Sequence, residues 1–566
     1  MNRKDMIRAL ESTPEWDFCI IGGGATGLGV AVDAASRGFR TLLLEQYDFA
    51  KGTSSRSTKL VHGGVRYLQQ GNIKLVTEAL HERGVLHKNA PHLVKDQSFI
   101  VPNYKWWEGP YYGIGLKVYD WMSGSLGLGP SRSLSREETL QLAPTLDAEG
   151  LRGGVLYHDG QFDDARLAIN LAQTAAGQGA ILLNYCQVEK LVKEPTRGGS
   201  HGAGPAQAKD GGSGRGGRVV GVQAIDKETG RRYEITSKAV INATGVFTDS
   251  ILRMDEPGSE PIVAPSQGVH IVLDKVFLPG EAAILVPHTD DGRVLFAVPW
   301  HDKIIIGTTD TPVKEIHEEP RALPEEIDFI LQQIGRYLTM TPERKDIRSV
   351  FAGLRPLVKG SSRKTAELSR DHLITVSASG LITIAGGKWT TYRRMAEDTV
   401  NTAIDRAGLE DRPCRTTTLP IHGSPDATRV DGRLGRDKAS AGLAALSKTS
   451  DGNAAVTDFH APLYYYGTDA AAIRALATAD PALGKPLHPR LPYIAAEIVW
   501  AVREELCITV EDALSRRTRA LFLDARAAAE CAGAVAELLA GELGKDLSWQ
   551  QQQVAVFRGL AENYLA

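Results

Sequence analysis

Apolar positions along this 566-residue chain follow three different patterns, and each predicts a different element. The first is a short unbroken apolar run that ends on glycine. Phe18 to Ile21 is followed by Gly22, Ala239 to Asn242 by Ala243, Thr244 and Gly245, and Leu381 to Ala385 by Gly386 and Gly387. Such runs predict strands buried on both faces of a parallel sheet. The second pattern is a series of closely spaced strand-like segments, HIVLD, AILVPH, RVLFAVPW and KIIIGTTD, between His270 and Asp310. It predicts an antiparallel sheet. The third begins after about Asp405, where spacing by four takes over, as at Ile494, Ile498 and Val502, and Thr509 with Asp512 marks a helix start running through Leu514. That is a helical tail.

The first glycine-ended strand carries the most chemistry. Gly22, Gly24 and Gly27 give the GxGxxG spacing, an Ala-rich helix runs to about Arg37, Gly38 stops it, and a second strand from Thr41 ends on Glu45. The glycines allow a tight turn and close backbone approach, the helix start faces a pyrophosphate, and Glu45 is placed to accept from a ribose diol. This unit predicts dinucleotide binding without choosing between NAD and FAD. Three glycine-marked strand ends spread over the chain fit FAD far better. In AGGKWTTYR a cationic helix start beside a flavin would stabilise its anionic reduced ring.

Composition then removes alternatives. With 42% hydrophobic and 23% charged residues the chain is a soluble globular type of two or three domains. A net charge of −3 offers no electrostatic footprint for nucleic acid. Five scattered cysteines predict neither a disulfide framework nor a metal site. No signal peptide or spanning segment is visible, which predicts a cytoplasmic protein or one lying on a membrane surface. Residues 198–218, GGSHGAGPAQAKDGGSGRGGR, read as an enlarged hairpin loop between two strands.

GTSSRSTKLVHGGVRYL, VPWHDKIIIGTTD, FAGLRPL, LSRDH and AGGKWTTYR, in this order, resemble the FAD-dependent, quinone-linked glycerol-3-phosphate dehydrogenase family, a branch of the flavoproteins like glutathione reductase and D-amino-acid oxidase. The resemblance implies an α/β FAD-binding fold with an antiparallel-sheet substrate domain and a C-terminal helical domain. The expected boundaries are 16–80, 150–260 and 350–405 for the FAD domain, 81–149 and 261–349 for the substrate domain, and 406–566 for the helical domain. It also implies oxidation of sn-glycerol 3-phosphate to dihydroxyacetone phosphate, with electrons passed from FAD to a quinone.

Such a substrate needs cations for its phosphate and an acceptor for its hydroxyl proton. Arg66, Arg355 and Arg370 lie inside family motifs and are the natural phosphate clamps, because a guanidinium fork matches phosphate oxygens. His270 is the candidate base, since histidine accepts a proton near neutral pH and guanidinium does not. Lys388 is assigned to the substrate oxygen and to the flavin alike. Where the family often has a basic residue before the glycine of QGVH, this chain has Gln267. Thr53, Ser54, Ser55, Ser57 and Lys59 are expected along the pyrophosphate and ring path, His62 and Gly63 against the flavin ring, and Ala243, Gly245, Gly387 and Thr390 around the cofactor. FAD is expected to be bound non-covalently.

Trp106, Trp107, Tyr111, Tyr112, Tyr119 and Trp121, with Lys105 and Lys117, form an aromatic and basic mixture. Two readings stand: peripheral contact with a lipid surface, suited to a quinone reductase, or filling of a core or subunit contact. A homodimer, and oxygen as the electron acceptor with peroxide as product, stay open. A binding module without chemistry is disfavoured by the intact set Arg66, His270, Arg355, Arg370 and Lys388.

Overall fold

A computed structural model describes every residue except 66–67, 69–71, 195–216, 360–370 and 426–462. Arg66, Arg370 and most of the glycine-rich loop therefore lie outside the described residues. The strands flanking that loop, Cys186–Glu194 and Arg218–Asp226, pair antiparallel with Glu194 opposite Arg218.

Two sheets organise the first four hundred residues. In the first, Trp16–Ile21 is central, paired in parallel with Arg232–Asn242 on one side and Thr41–Leu44 on the other. Ile382–Gly386 joins beyond Arg232–Asn242, and Ile181–Leu183 beyond Thr41–Leu44, again in parallel. All six residues of WDFCII are buried, as the unbroken apolar run requires. Helix Ala25–Ser36 packs over these strands against helices Tyr392–Ala407 and Asp164–Gly177. Gly29 makes the first contact close: a Cβ there would stand 2.9 Å from the Tyr392 ring.

The second sheet is antiparallel apart from one parallel pairing, Ala283–Val286 against Val94–Asn103. Its functional centre is Val263–Asp274, which runs between Lys303–Gly307 and Ser349–Val358. The expected boundaries put residues 150–162 and 350–358 with the FAD domain. By strand pairing, Gly153–Phe162 and Ser349–Val358 are instead members of this second sheet, because the chain crosses between layers more often than its glycine punctuation reveals.

The tail is helical, with Ala470–Ala479, Ala495–Glu504, Ala525–Leu543 and Leu547–Ala561 as its main elements. Its apolar core is continuous with Val272, Trp300, Ile305 and Phe351 of the second sheet. Thr509 and Asp512 do form the capping box, but the helix they start widens at once into a π turn, Ala513–Arg517. Such turns are uncommon and often functional.

Helix Glu108–Ser123 divides the aromatic segment between the two readings. Tyr112 and Tyr119 are buried, whereas Tyr111 (52%), Ile114 (69%), Trp106 (77%) and Trp121 (83%) stand exposed. No helix among the described residues is long and apolar enough to cross a membrane.

Candidate functional site

The parallel strands end together in one cleft. Gly22 sits at φ 109°, and a Cβ there would lie 2.7 Å from the Ala243 carbonyl oxygen, so the turn can pass beneath the second strand end only as glycine. Glu45, at the end of Thr41–Leu44, accepts from the Gly23 N–H at 2.7 Å and from the Tyr47 N–H at 2.8 Å. Burial raises this carboxyl above its ordinary range against those two bonds. Ser54 Oγ accepts from the Ala25 N–H at 2.9 Å, tying the hydroxyl run to the start of the dinucleotide helix. Between them runs a cavity of about 470 Å³, bounded by Gly22, Gly24 and Glu45 at one end and by Gly386, Gly387 and Lys388 at the other.

Lys388 also lines a second cavity of about 210 Å³, which brings in His62, Gly268, His270 and Arg355. The turn carrying Lys388 is fixed to the hydroxyl run, because Trp389 Nε1 donates to Ser54 O at 2.9 Å and the His62 N–H donates to Thr390 Oγ1 at 3.2 Å. Arg355 is oriented by Asp310 at 3.2 Å, Thr308 Oγ1 at 3.1 Å and the Thr309 carbonyl at 3.0 Å. Gly268 leaves room for it: a Cβ there would stand 2.4 Å from the guanidinium.

His270 is buried, with its ring stacked on Phe351 at a centroid distance of 4.8 Å and Nε2 2.9 Å from Thr58 Oγ1. Its Nδ1 is buried without a hydrogen-bond partner among the described residues. Burial, then Lys59, then Arg355 hold the imidazole well below its usual pKa, so it is neutral at pH 7 and able to accept a proton. A third cavity of about 470 Å³ shares Thr58, Leu60, His62 and Arg355 with this one and is also lined by Phe99, Leu116 and Phe296 and by Tyr111 and Ile114 of the surface helix.

A family model described as FAD dependent oxidoreductase matches residues 17–393, and one described as C-terminal domain of alpha-glycerophosphate oxidase matches residues 414–554. The mitochondrial glycerol-3-phosphate dehydrogenase of Mesocricetus auratus is 42% identical over 565 residues, covering 97% of this chain and 73% of that protein. The chain belongs to the FAD-dependent glycerol-3-phosphate dehydrogenase family. The human mitochondrial enzyme is 41% identical over 572 residues, covering 98% of this chain and 74% of its own. The solved glycerol-3-phosphate dehydrogenase of Bacillus halodurans, complexed with FAD, superposes with a TM-score of 0.74 at 29% identity, covering 100% of this chain and 98% of that one.

FAD is the cofactor of this dehydrogenase family member, and the donor set fits it. Backbone N–H groups of a glycine turn and a helix start suit a pyrophosphate. Glu45 keeps lone pairs for a ribose, and Lys388 stands where the first cavity meets the second. Thr53, Ser54, Ala243 and Gly245 line the first cavity, Ser57 and Thr390 the second, and His62 the second and third.

Two expected cofactor contacts need correction. Lys59 does not point into the cleft: its ammonium is fully buried on Asp164 Oδ2 at 2.7 Å and Ser55 O at 2.8 Å. Gly63 is packed behind the cleft, its N–H donating to Tyr119 Oη at 2.8 Å, where a Cβ would meet that oxygen at 2.5 Å. Gly27 serves the tight turn itself: a Cβ there would stand 1.9 Å from Gly22 O.

Sequence reasoning missed what the tail contributes. From the π turn, Arg516 Nε donates to Asp48 Oδ2 at 2.6 Å, and Arg517 binds both Asp48 oxygens at 2.7 and 2.8 Å. Glu511 accepts from Lys51 at 2.6 Å, while Arg519 reaches Ser55 O at 2.7 Å and Asp164 Oδ1 at 3.3 Å. The available signal was SRRTRALFLD, three arginines leading into an apolar run.

Proposed function

We propose that the chain oxidises sn-glycerol 3-phosphate to dihydroxyacetone phosphate. The observation that carries this reading is the meeting of Arg355, His270 and Lys388 in one small cavity that joins the dinucleotide cleft. FAD, when bound, supplies the acceptor for the two electrons. Arg355, already oriented by Asp310 and Thr308, holds the phosphate, and His270 takes the alcohol proton at Nε2 beside Thr58. Lys388 steadies the substrate oxygen as it becomes a carbonyl. Arg66 and Arg370 are further phosphate ligands by their place in the motifs.

The same reading makes a quinone the electron acceptor and the exposed face of Glu108–Ser123 a peripheral lipid contact. The apolar third cavity supports both, since it connects that face with His62 and Thr58. Lys105 and Lys117 add charge suited to anionic headgroups.

Anaerobic mixing of the flavin-loaded protein with substrates tests the first step. Bleaching of the flavin band by glycerol 3-phosphate and not by glycerol is expected; no bleaching by any phosphorylated polyol refutes the reading. Readmitting oxygen and measuring peroxide separates an oxidase from a quinone reductase. Flotation with anionic liposomes, and its loss on replacing Trp106 and Trp121, tests the surface contact.

A further inference from the structure

We propose that Lys59, anchored from the C-terminal domain, is a positioning residue that sets the location and basicity of His270. The inference rests on His270 being the proton acceptor, and it adds a reason for the helical domain to be joined to a flavin fold.

Lys59 lies in a box with no opening to solvent. Its ammonium is bonded to Asp164 and Ser55 O, and lies 5.1 Å from the Phe351 ring centroid, 5.4 Å from Phe522 and 5.5 Å from Trp300. Phe351 is the ring on which His270 is stacked, and Phe522 belongs to the tail. The Lys59 backbone is at φ 62°, a left-handed conformation that a non-glycine residue holds only when its surroundings over-determine it. Here the residue before it, Thr58, bonds His270 Nε2, and the residue before that, Ser57, donates to Asp164 from both N–H and hydroxyl.

Asp164 is thus a hub. It receives Ser57, Lys59 and, from the tail, Arg519 Nη2, which also donates to Ser55 O, while Arg519 Nη1 donates to Ser515 O. It occupies the first turn of helix Asp164–Gly177, where a carboxylate is favoured by the helix dipole. The helical domain holds this hub in place, the hub holds residues 55–59, and Thr58 with the Lys59 charge acts on the imidazole.

Lys59 and Arg355 are the charged groups that act on His270, and Lys388, Arg56 and His62 line the same cavity; Thr58, Phe351 and Gly307, which lie against the ring, are neutral. Burial brings the Lys59 ammonium down to about 8, against the pull of Asp164, so it is still largely protonated at pH 7. Burial first, and then these two cations, keep the resting imidazole neutral. An anionic phosphate arriving at Arg355 cancels one of them and raises the basicity of His270 once substrate is in place. Lys59 is the constant part of this field and Arg355 the part that substrate switches.

The test is the pH dependence of kcat/KM in flavin-loaded variants. Lys59→Met removes the constant cation, and the acid limb is expected to move to higher pH by about one unit or more. Asp164→Asn removes the carboxylate that keeps the buried Lys59 protonated and is expected to move the limb in the same direction as Lys59→Met. Lys59→Arg is expected to leave the limb near its parental position. Rates that fall by one factor at every pH in both Lys59→Met and Asp164→Asn, with the limb unmoved, would overturn the proposal. His270→Ala separates the two layers: if it abolishes the limb while Lys59→Met leaves it in place, only this inference fails. If the limb survives in His270→Ala, the reading of His270 as base fails and takes this one with it.

Discussion

Gly307→Ala adds one methyl group opposite the proton acceptor. Gly307 is the ladder partner of His270, and the added Cβ would stand 2.3 Å from the imidazole Cδ2, where ordinary contact begins at 3.4 Å. The ring must give by about 1 Å, and it cannot retreat freely because Phe351 is stacked on it 4.8 Å away. Overpacking of this kind costs about 1–3 kcal/mol of stability. The kinetic cost is of similar size: a displacement of about 1 Å from reacting geometry lowers turnover by about 100-fold, near 2.7 kcal/mol of barrier. The cofactor cleft does not include Gly307, so flavin content should be unchanged. Single-turnover flavin reduction by glycerol 3-phosphate measures the effect directly. A fully flavin-loaded variant that is reduced at the parental rate would refute the placement of His270 at the chemistry, and so would equal losses of flavin and rate.

Other expectations come from the clamps around the cleft. Arg355→Ala should raise KM for glycerol 3-phosphate by about 10- to 150-fold, the value of a charge-assisted hydrogen bond of about 1.5–3 kcal/mol, while flavin content stays level. Asp48→Asn leaves Arg516 and Arg517 buried beside a neutral amide, and denaturant unfolding should show a loss of about 3–5 kcal/mol; a loss below 1 kcal/mol would refute the clamp. Burial acts to raise the Glu511 carboxyl, but Arg516 and Lys51 outweigh it and bring it down to about 2 from 4.5. Its pairing thus stabilises the fold above about pH 4.5 and is lost as pH falls toward 2, a change of about 3 kcal/mol that Glu511→Gln should remove from the stability profile.

The fold was legible where one residue type had one physical use. An apolar run ending on glycine before an Ala-rich helix leaves little besides a buried strand and a tight turn, and Trp16–Ile21 obeys it. The spacing from His270 to Asp310 likewise gave the strands of the second sheet. Lys59 was misread because its neighbours Thr53, Ser54 and Ser57 do border the cleft, and only the left-handed backbone at Lys59 turns its side chain away. Arg516, Arg517 and Arg519 look like a solvated basic run until Asp48 and Asp164, hundreds of positions earlier, are seen to be their counter-charges. The outer helix was ambiguous for a related reason: its aromatics serve both readings, Tyr119 inward to Gly63 and Trp121 outward to solvent.

The pairing of Asp48 with Arg516 and Arg517 spans 468 and 469 positions. A ribosome adding about 5–20 residues per second needs roughly 20–90 s to cover that distance. Throughout this interval the glycine turn and Glu45 are already made, yet the segment from Tyr47 to Lys59 has none of the arginines that later hold it. The arginines that hold the segment from Tyr47 to Lys59 are therefore made only after both sheets have been synthesised.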